Sequence, residues 1–248
     1  MSDAAILSIV KLNKLFGGLV ATQDVSLDVA PGEVHALIGP NGAGKTTLIS
    51  QLQGSLTPDS GAIMFCGRDI VRDAPDVRAR MGLARSFQIT AVLPDFTALE
   101  NVRLAVQAQQ GHSFRFFAPA AKDAGLNAPA QAALEQVGLA GSAETQAAAL
   151  SHGARRQLEL AMALAMKPAL LLLDEPMAGM GKQDSAQMVK LLAGLKGAYS
   201  IMLVEHDMDA VFSLADRLSV LVQGAVIATG APDEIRADER VRAAYLGH

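Results

Sequence analysis

The stretch that decides the fold is Gly39-Pro40-Asn41-Gly42-Ala43-Gly44-Lys45-Thr46-Thr47. Its pattern of Gly, four residues, Gly, Lys and Thr is typical of a loop that binds the phosphates of a nucleotide, here called the P-loop. The glycines allow a tight turn in which consecutive N–H groups converge on one anion, and the following helix adds its positive N-terminal end. We expect Lys45 to contact the β- and γ-phosphates and the Thr46 hydroxyl to bind Mg²⁺.

The residues on either side of the P-loop provide the context that this motif needs. The apolar run Val34–Ile38 predicts a buried parallel strand. Residues 46–53 have helical spacing of apolar side chains, and Gly54 is placed to end that helix. A chance match in a glycine-rich chain is the alternative, but the strand and the helix make it rare.

Composition sets limits on the class of protein. The chain has 248 residues, of which 50% are apolar and 19% charged, so it can fill one large globular core or a core plus a lobe. A net charge of −4 argues against nucleic acid as a partner. No stretch approaches the ~20 apolar residues of a spanning helix, and Met1-Ser2-Asp3 lacks a basic signal-peptide start. We expect a soluble chain in the cytoplasm, with any membrane role exercised through a partner.

The single cysteine, Cys66, excludes an internal disulfide and a cysteine zinc cluster. A free cysteine most often behaves as a small hydrophobic residue, so we expect the Cys66 side chain to be buried.

The remaining pattern predicts an α/β core interrupted by helices. Strands are expected around the turn at residues 16–18, after a turn at 57–61, and at 83–88, where Gln88 ends the strand. Helical spacing dominates residues 98–166 and predicts a helical lobe inserted into the core. Three phenylalanines within residues 111–127 fit either an exposed contact patch or a small local core. The further predicted elements are strands at 6–11, 25–29, 62–65, 169–173, 201–205, 218–222 and 225–228, and a last helix at 239–246.

A second set of candidate catalytic residues follows the apolar run at 169–173. Asp174 and Glu175 stand at the carboxyl end of a predicted parallel strand, where ligands bind in open α/β sheets. With a P-loop in the same chain, Asp174 is the natural partner of Mg²⁺ and Glu175 the residue that polarises the attacking water. Without the P-loop, the same pair would be a strand meeting solvent.

Leu150-Ser151-His152-Gly153 precedes a predicted helix, for which Ser151 would be an ordinary N-cap. Five motifs follow one another along the chain. They are the P-loop, the glutamine after a predicted strand (Gln88), Leu-Ser-x-Gly before a predicted helix (150–153), the apolar run ending in Asp-Glu (169–175), and the strand followed by His206. This order resembles the ATP-binding cassette of ABC transporters over essentially the whole chain. The resemblance implies a RecA-like P-loop NTPase core with an antiparallel β edge and an inserted α-helical subdomain.

The resemblance assigns a role to each matching residue. Gln88 would sense Mg²⁺ where the membrane subunit docks. Ser151, His152 and Gly153 would form the signature that binds the γ-phosphate held by the opposite subunit. His206 would contact the γ-phosphate as the switch histidine, and Phe16 would stack on adenine.

A narrower resemblance joins the chain to the branched-chain (hydrophobic) amino-acid importer ATPases. It is visible in five segments, namely 16–21, 84–88, 99–102, 205–208 and 244–247. It implies a single ABC ATPase domain, with a RecA-like core and β subdomain at 1–88 and 167–248 and a helical subdomain at 89–166. It also implies an ATPase that works with Mg²⁺ at the cytoplasmic face of the inner membrane.

The same resemblance implies several partners. Two ATPase subunits, identical or paralogous, would sandwich two ATP molecules and drive membrane permease subunits, which an extracytoplasmic solute-binding protein would serve. The cargo would be branched-chain amino acids or a related polar, amide or acid solute. The alternatives are the ATPase of an exporter, such as the lipopolysaccharide-export type, or a soluble ABC ATPase without a transport role.

The chain departs from the family pattern at three positions. His152 stands where glycine is usual, Ala154 replaces the signature glutamine, and Gly181 stands where the segment after Asp174-Glu175 usually has Asn or Asp. These departures bear on the coupling between the two ATP sites and leave the expected binding of nucleotide unchanged.

Overall fold

The structure, a computed structural model, describes residues 5–85, 92–110 and 123–246. Within these ranges the strands are β1 (Leu7–Phe16), β2 (Leu19–Val29), β3 (Val34–Ile38), β4 (Ser60–Phe65), β5 (Arg68–Asp69), β6 (Leu83–Arg85), β7 (Leu170–Asp174), β8 (Ser200–Val204), β9 (Arg217–Val222) and β10 (Ala225–Gly230). The helices are α1 (Lys45–Gln53), α2 (Pro75–Arg80), α3 (Ala98–Gln110), α4 (Ala124–Gln136), α5 (His152–Ala165), α6 (Lys182–Leu195), α7 (Met208–Leu214), α8 (Pro232–Ala237) and α9 (Glu239–Val241).

The larger sheet carries the P-loop. Its strand order is β10-β9-β3-β8-β7-β6, and all neighbours are parallel except β10, which runs antiparallel to β9. Every residue of β3, β7 and β8 is buried, because the sheet is covered on both faces. Their continuous apolar sequences follow from that double burial, and the predictions of buried strands before the P-loop and before Asp174-Glu175 are confirmed.

The smaller sheet is antiparallel, with the order β2-β1-β4-β5. Its first two strands are longer than predicted, since the sequence pattern pointed to strands only at 6–11 and 25–29. The pairing of β1 with β2 contains register irregularities, and Lys11 and Asp24 have left-handed backbones with φ of 45° and 46°. Bulges of this kind interrupt the alternation of apolar and polar residues by which strands are recognised.

In the described residues between β6 and β7, three α-helices form the inserted lobe. Helices α3, α4 and α5 pack against one another, and their buried apolar residues belong to the same core as one face of the larger sheet. The α/β core with an antiparallel edge and an inserted helical subdomain is therefore confirmed. The subdomain limits of 1–88, 89–166 and 167–248 stay a prediction. Gln88 and the phenylalanines of the 111–127 segment lie outside the described residues.

The expectation that Cys66 is buried is wrong. Cys66 and Gly67 form the two-residue turn between β4 and β5, with φ of 49° and 78°, and the Cys66 side chain is exposed. Two-residue hairpins favour turns in which both central residues have positive φ, and such turns project their side chains into solvent. The strand β4 ends at Phe65, as the pattern at 62–65 predicted, so Cys66 falls in the turn and not in the strand.

A buried polar network anchors the start of β3 against β9. Glu33 accepts hydrogen bonds from the Arg217 guanidinium (2.8 Å) and the Ala30 N–H (2.6 Å) and contacts His35 Nδ1 (3.2 Å), while His35 Nε2 lies 2.9 Å from the Ser219 hydroxyl. Burial alone would raise the pKa of Glu33. The hydrogen bonds from His35 and Ala30, with the charge of Arg217, outweigh burial and lower that pKa to about 2.

Glu33→Gln is expected to destabilise the fold at neutral pH by roughly 2–3 kcal/mol. The carboxylate of Glu33 has its pKa lowered in the folded state, so its contribution is complete above the unfolded pKa near 4.5 and is lost as the pH falls towards 2. Urea unfolding at pH 7 and pH 3 should therefore show a larger difference between wild type and variant at pH 7. The control is Glu144→Gln at an exposed carboxylate. A difference that is equal at both pH values would contradict the assigned role.

Candidate functional site

The P-loop lies between β3 and α1 and contacts two strands closely. A Cβ atom at Gly39 would approach the Leu221 carbonyl oxygen to 2.1 Å, and one at Gly44 would approach the Ala21 carbonyl oxygen to 2.1 Å. Gly44 also has φ of 106°, which side chains rarely allow. These positions require glycine, and the loop can follow this path over β9 and β2 only because they have it.

The Lys45 side chain is drawn into the P-loop. Its ammonium donates hydrogen bonds to the carbonyl oxygens of Gly39 (2.6 Å) and Pro40 (3.0 Å), and the residue is 9% exposed. Burial lowers the pKa of Lys45, and the carboxylates of Glu175 and Asp174 act against that effect. The structure thus brings Lys45 together with both acidic residues that the sequence predicted, at one edge of the larger sheet.

Asp174 ends β7 in a buried position, with the residue 2% exposed. Its Oδ2 accepts a hydrogen bond from Arg85 (3.0 Å), whereas its Oδ1 is buried with no hydrogen-bond partner among the described residues. Burial raises the pKa of Asp174, and the Arg85 charge opposes the rise. A buried carboxylate oxygen without a partner is the hard ligand that Mg²⁺ prefers, and Thr46 stands exposed in the first turn of α1. The residues present therefore fit the ion.

Glu175 has an unusual backbone. Its φ is 50°, a left-handed conformation that costs energy in a residue with a side chain, and its N–H donates to the Val204 carbonyl (2.8 Å). Strain of this kind, held in place by the neighbouring strand, is common at functional positions. It directs the chain away from the sheet immediately after Asp174 and places Glu175 in the wall of a cleft.

This cleft of about 360 Å³ joins three of the predicted features. It is lined by residues 41–47 of the P-loop, by Glu175, and by Phe16, Leu19, Val20 and Ala21 from the tip of the β1–β2 hairpin. Phe16 is 49% exposed, and the Lys14 ammonium lies 5.6 Å from the centre of its ring. An exposed aromatic face beside a phosphate-binding loop can stack on a flat base such as adenine.

The predicted signature residues are not brought to this cleft. Ser151 caps α5 by accepting a hydrogen bond from the Ala154 N–H (3.2 Å), and Ser151 and His152 are exposed. Gly153 packs so tightly that a Cβ atom there would lie 2.8 Å from Cγ of Asp184. His152 Nε2 lies 3.3 Å from the Ala178 carbonyl, so the start of α5 contacts the segment that follows Asp174-Glu175.

His206 follows β8, and its side chain is 62% exposed. The residue before it, Glu205, is buried and accepts hydrogen bonds from the N–H groups of Met177 (2.9 Å) and His206 (3.0 Å). Glu205 therefore organises the loops after β7 and β8, a role that the sequence reasoning missed. Arg85 was missed as well. In both cases the sequence could have indicated the role, because each is a charged residue in or directly after a short apolar run. A charged side chain at such a position is rarely buried unless it is paired with another group.

A P-loop after a buried parallel strand, an acidic pair at the end of another parallel strand, and an exposed aromatic ring at the same cleft are the features of a P-loop nucleoside triphosphatase. The ABC transporter family matches residues 22–178, and the branched-chain amino acid ATP-binding cassette transporter family matches residues 225–248. The chain belongs to the ABC transporter ATP-binding proteins, within their branched-chain amino-acid branch, and is an ABC ATPase that binds and hydrolyses ATP.

Individual relatives cover nearly the whole chain. The high-affinity branched-chain amino acid transport ATP-binding protein LivG of Escherichia coli (strain K12) is 38% identical over 98% of both chains. BraF of Pseudomonas aeruginosa, with the same description, is 37% identical over 98% of both. The crystal structure of the ADP conformation of MJ1267, an ATP-binding cassette of an ABC transporter, has a TM-score of 0.86 at 28% identity and covers 98% of this chain and 99% of that one.

Proposed function

We propose that the chain is the ATP-hydrolysing subunit of a multi-subunit importer for branched-chain amino acids or a related polar, amide or acid solute. The observation that carries this proposal is the similarity to LivG, which extends over 98% of both chains. The match of residues 225–248 to the branched-chain transporter family supports it independently of the P-loop region.

Lys45, Asp174 and Glu175 carry the chemistry in this proposal. Lys45 neutralises charge on the β- and γ-phosphates, and Glu175 accepts a proton from the attacking water. Asp174 and Thr46, with Gln88, hold Mg²⁺, which supplies positive charge to the phosphate oxygens when bound. The His206 side chain is exposed after β8, and a side chain that contacts the γ-phosphate must be accessible in this way.

Two such subunits are proposed to act together, either as a homodimer or with a paralogous ATPase. The supporting observation is that Ser151 and His152 are exposed at the start of α5, while the residues lining the described cleft come from other parts of the chain. A signature that does not reach the cleft of its own subunit is suited to close the cleft of another. Each ATP would then lie between one P-loop and the opposite Ser151 and Gly153.

The proposed membrane partners are permease subunits, with an extracytoplasmic solute-binding protein served indirectly. In the described parts of the chain, every helix is too short or too polar to cross a membrane. An apolar groove of about 580 Å³ opens between α2, α3 and α5, and Leu93 and Leu104 at this groove are 43% and 39% exposed. This surface is suited to an apolar segment of a permease at the cytoplasmic face of the inner membrane.

An exporter is the second candidate. The Nod factor export ATP-binding protein I of Cupriavidus metallidurans is 36% identical over 93% of this chain and 73% of its own length. That relative is named for export, so similarity of the ATPase alone does not separate the two directions of transport.

Uptake of radiolabelled leucine by cells tests both the direction of transport and the transported solute. Deleting the gene is expected to abolish the ATP-dependent, high-affinity part of leucine uptake, because the permease would have no source of energy. Restoring the wild-type chain should restore uptake, and restoring a Glu144→Gln chain, altered at an exposed carboxylate, should do the same. Unchanged uptake of leucine, isoleucine and valine in the deletion strain would contradict the proposed cargo, and leucine accumulating inside the cells would favour export.

A further inference from the structure

Arg85 bridges two parts of the nucleotide site. It is the last residue of β6, and one of its guanidinium nitrogens donates to Oδ2 of Asp174 (3.0 Å) while another donates to the side-chain oxygen of Gln53. The side chains of Arg85 and Asp174 are 12% and 1% exposed. Gln53 is the last residue of α1, the helix that begins with Lys45, so the guanidinium connects the end of the P-loop helix to the end of β7.

We propose that Arg85 is a positioning residue for the Mg²⁺ ligand Asp174. By holding Oδ2, it fixes the orientation of the carboxylate and leaves Oδ1, which has no hydrogen-bond partner among the described residues, as the oxygen available to the ion. Groups that orient a metal ligand in this way typically change metal affinity 10–100-fold when they are replaced. Because the role of Asp174 is itself part of the proposed function, the test must separate the two.

The fork of the guanidinium matters more here than its charge. Arginine presents several donors in a rigid plane, so it can hold Gln53 and Asp174 at once, whereas a lysine ammonium is a single point charge on a flexible stem. A positive charge near the site, by itself, repels a divalent cation. If Arg85 acted only through its charge, removing the residue would strengthen metal binding. If Arg85 positions Asp174, removing the residue weakens metal binding.

Mn²⁺ binding to the ADP-bound full chain tests these opposite expectations. Free Mn²⁺ is measured by electron paramagnetic resonance in wild type, Arg85→Lys, Arg85→Gln and Asp174→Ala. Arg85→Lys keeps the charge and loses the fork, and we expect its Mn²⁺ affinity to fall about 10-fold or more. Arg85→Gln should show a similar fall. The matched control is Arg80→Lys, because the exposed Arg80 guanidinium pairs with the exposed Asp76 on α2 and not with Asp174.

The affinity for ADP in the presence of EDTA, which removes the metal, distinguishes a positioning role of Arg85 from a role in maintaining the fold. We expect both Arg85 variants to bind metal-free ADP as wild type does, since the P-loop is unchanged. A parallel loss of metal-free ADP binding would mean that Arg85 only supports the fold, and tighter Mn²⁺ binding in Arg85→Gln would mean that it acts only as a charge. Either result overturns the proposal, as does wild-type Mn²⁺ affinity in both variants. If Asp174→Ala keeps wild-type Mn²⁺ affinity, the proposed metal site itself fails.

Discussion

Lys45→Ala is expected to lower the rate of ATP hydrolysis at least ~100-fold, the usual cost of losing one preorganised group that stabilises transition-state charge. The ammonium is held by the carbonyl oxygens of Gly39 and Pro40 and lies close enough to Asp174 and Glu175 for their charges to act on it. Its removal takes positive charge from the place where the phosphates bind. Affinity for ATP should fall together with the turnover rate.

Phosphate release and nucleotide titration measure these two effects on the same preparation. Lys182→Ala is the matched control, because Lys182 is exposed at the start of α6 and outside the cleft. It should behave as wild type in both measurements. A Lys45→Ala chain that turns over ATP at the wild-type rate would show that the P-loop assignment is wrong.

Glu175→Gln is expected to slow hydrolysis by about 10²–10⁴-fold, the usual contribution of a general base. The amide has nearly the same shape as the carboxylate but cannot accept the proton from the attacking water. The left-handed backbone at Glu175 is held by its N–H bond to the Val204 carbonyl, so the substitution should leave the loop in place. Lys45, Thr46 and Asp174 remain to hold the nucleotide.

The same variant should accumulate as an ATP-dependent dimer. Because the γ-phosphate persists, it continues to link one P-loop to the opposite Ser151 and Gly153, and a ligand that binds only the closed state shifts the population towards it. Size-exclusion chromatography with ATP and with ADP measures this, and Glu144→Gln is the control. If no dimer forms with ATP, the run is repeated with a paralogous subunit. A continued absence of dimer with wild-type hydrolysis would refute both the base and the two-site arrangement.

The strands that carry the site could be recognised from the sequence because they are buried on both faces. Val34–Ile38 and residues 169–173 are short apolar runs bounded by turn or polar signals, and the structure contains β3 and β7 there. The β1–β2 hairpin was recognised only in part. Its bulges at Lys11 and Asp24 depend on pairing between strands, which a local pattern does not contain.

The site residues divide in a similar way. The P-loop, Asp174 and Glu175 could be proposed as site residues from the sequence, because their chemistry is tied to short motifs next to buried strands. Arg85 and Glu205 were not found, since their roles come from hydrogen bonds to distant residues. Cys66 was placed wrongly for the same kind of reason, because the hairpin turn that exposes it is defined by the pairing of Phe65 with Arg68.

The sequence by itself determined that this chain has a P-loop motif, an acidic pair at the end of a buried strand and an inserted helical lobe. Each of these is encoded within about ten consecutive residues or in a simple periodicity. Only the tertiary structure decided that Phe16, the P-loop and Glu175 share one cleft, and that Arg85 holds one oxygen of Asp174 while the other has no hydrogen-bond partner in the described part of the chain. The physical reason is that these contacts join residues far apart in the chain, which meet only when the strands pair and the core packs.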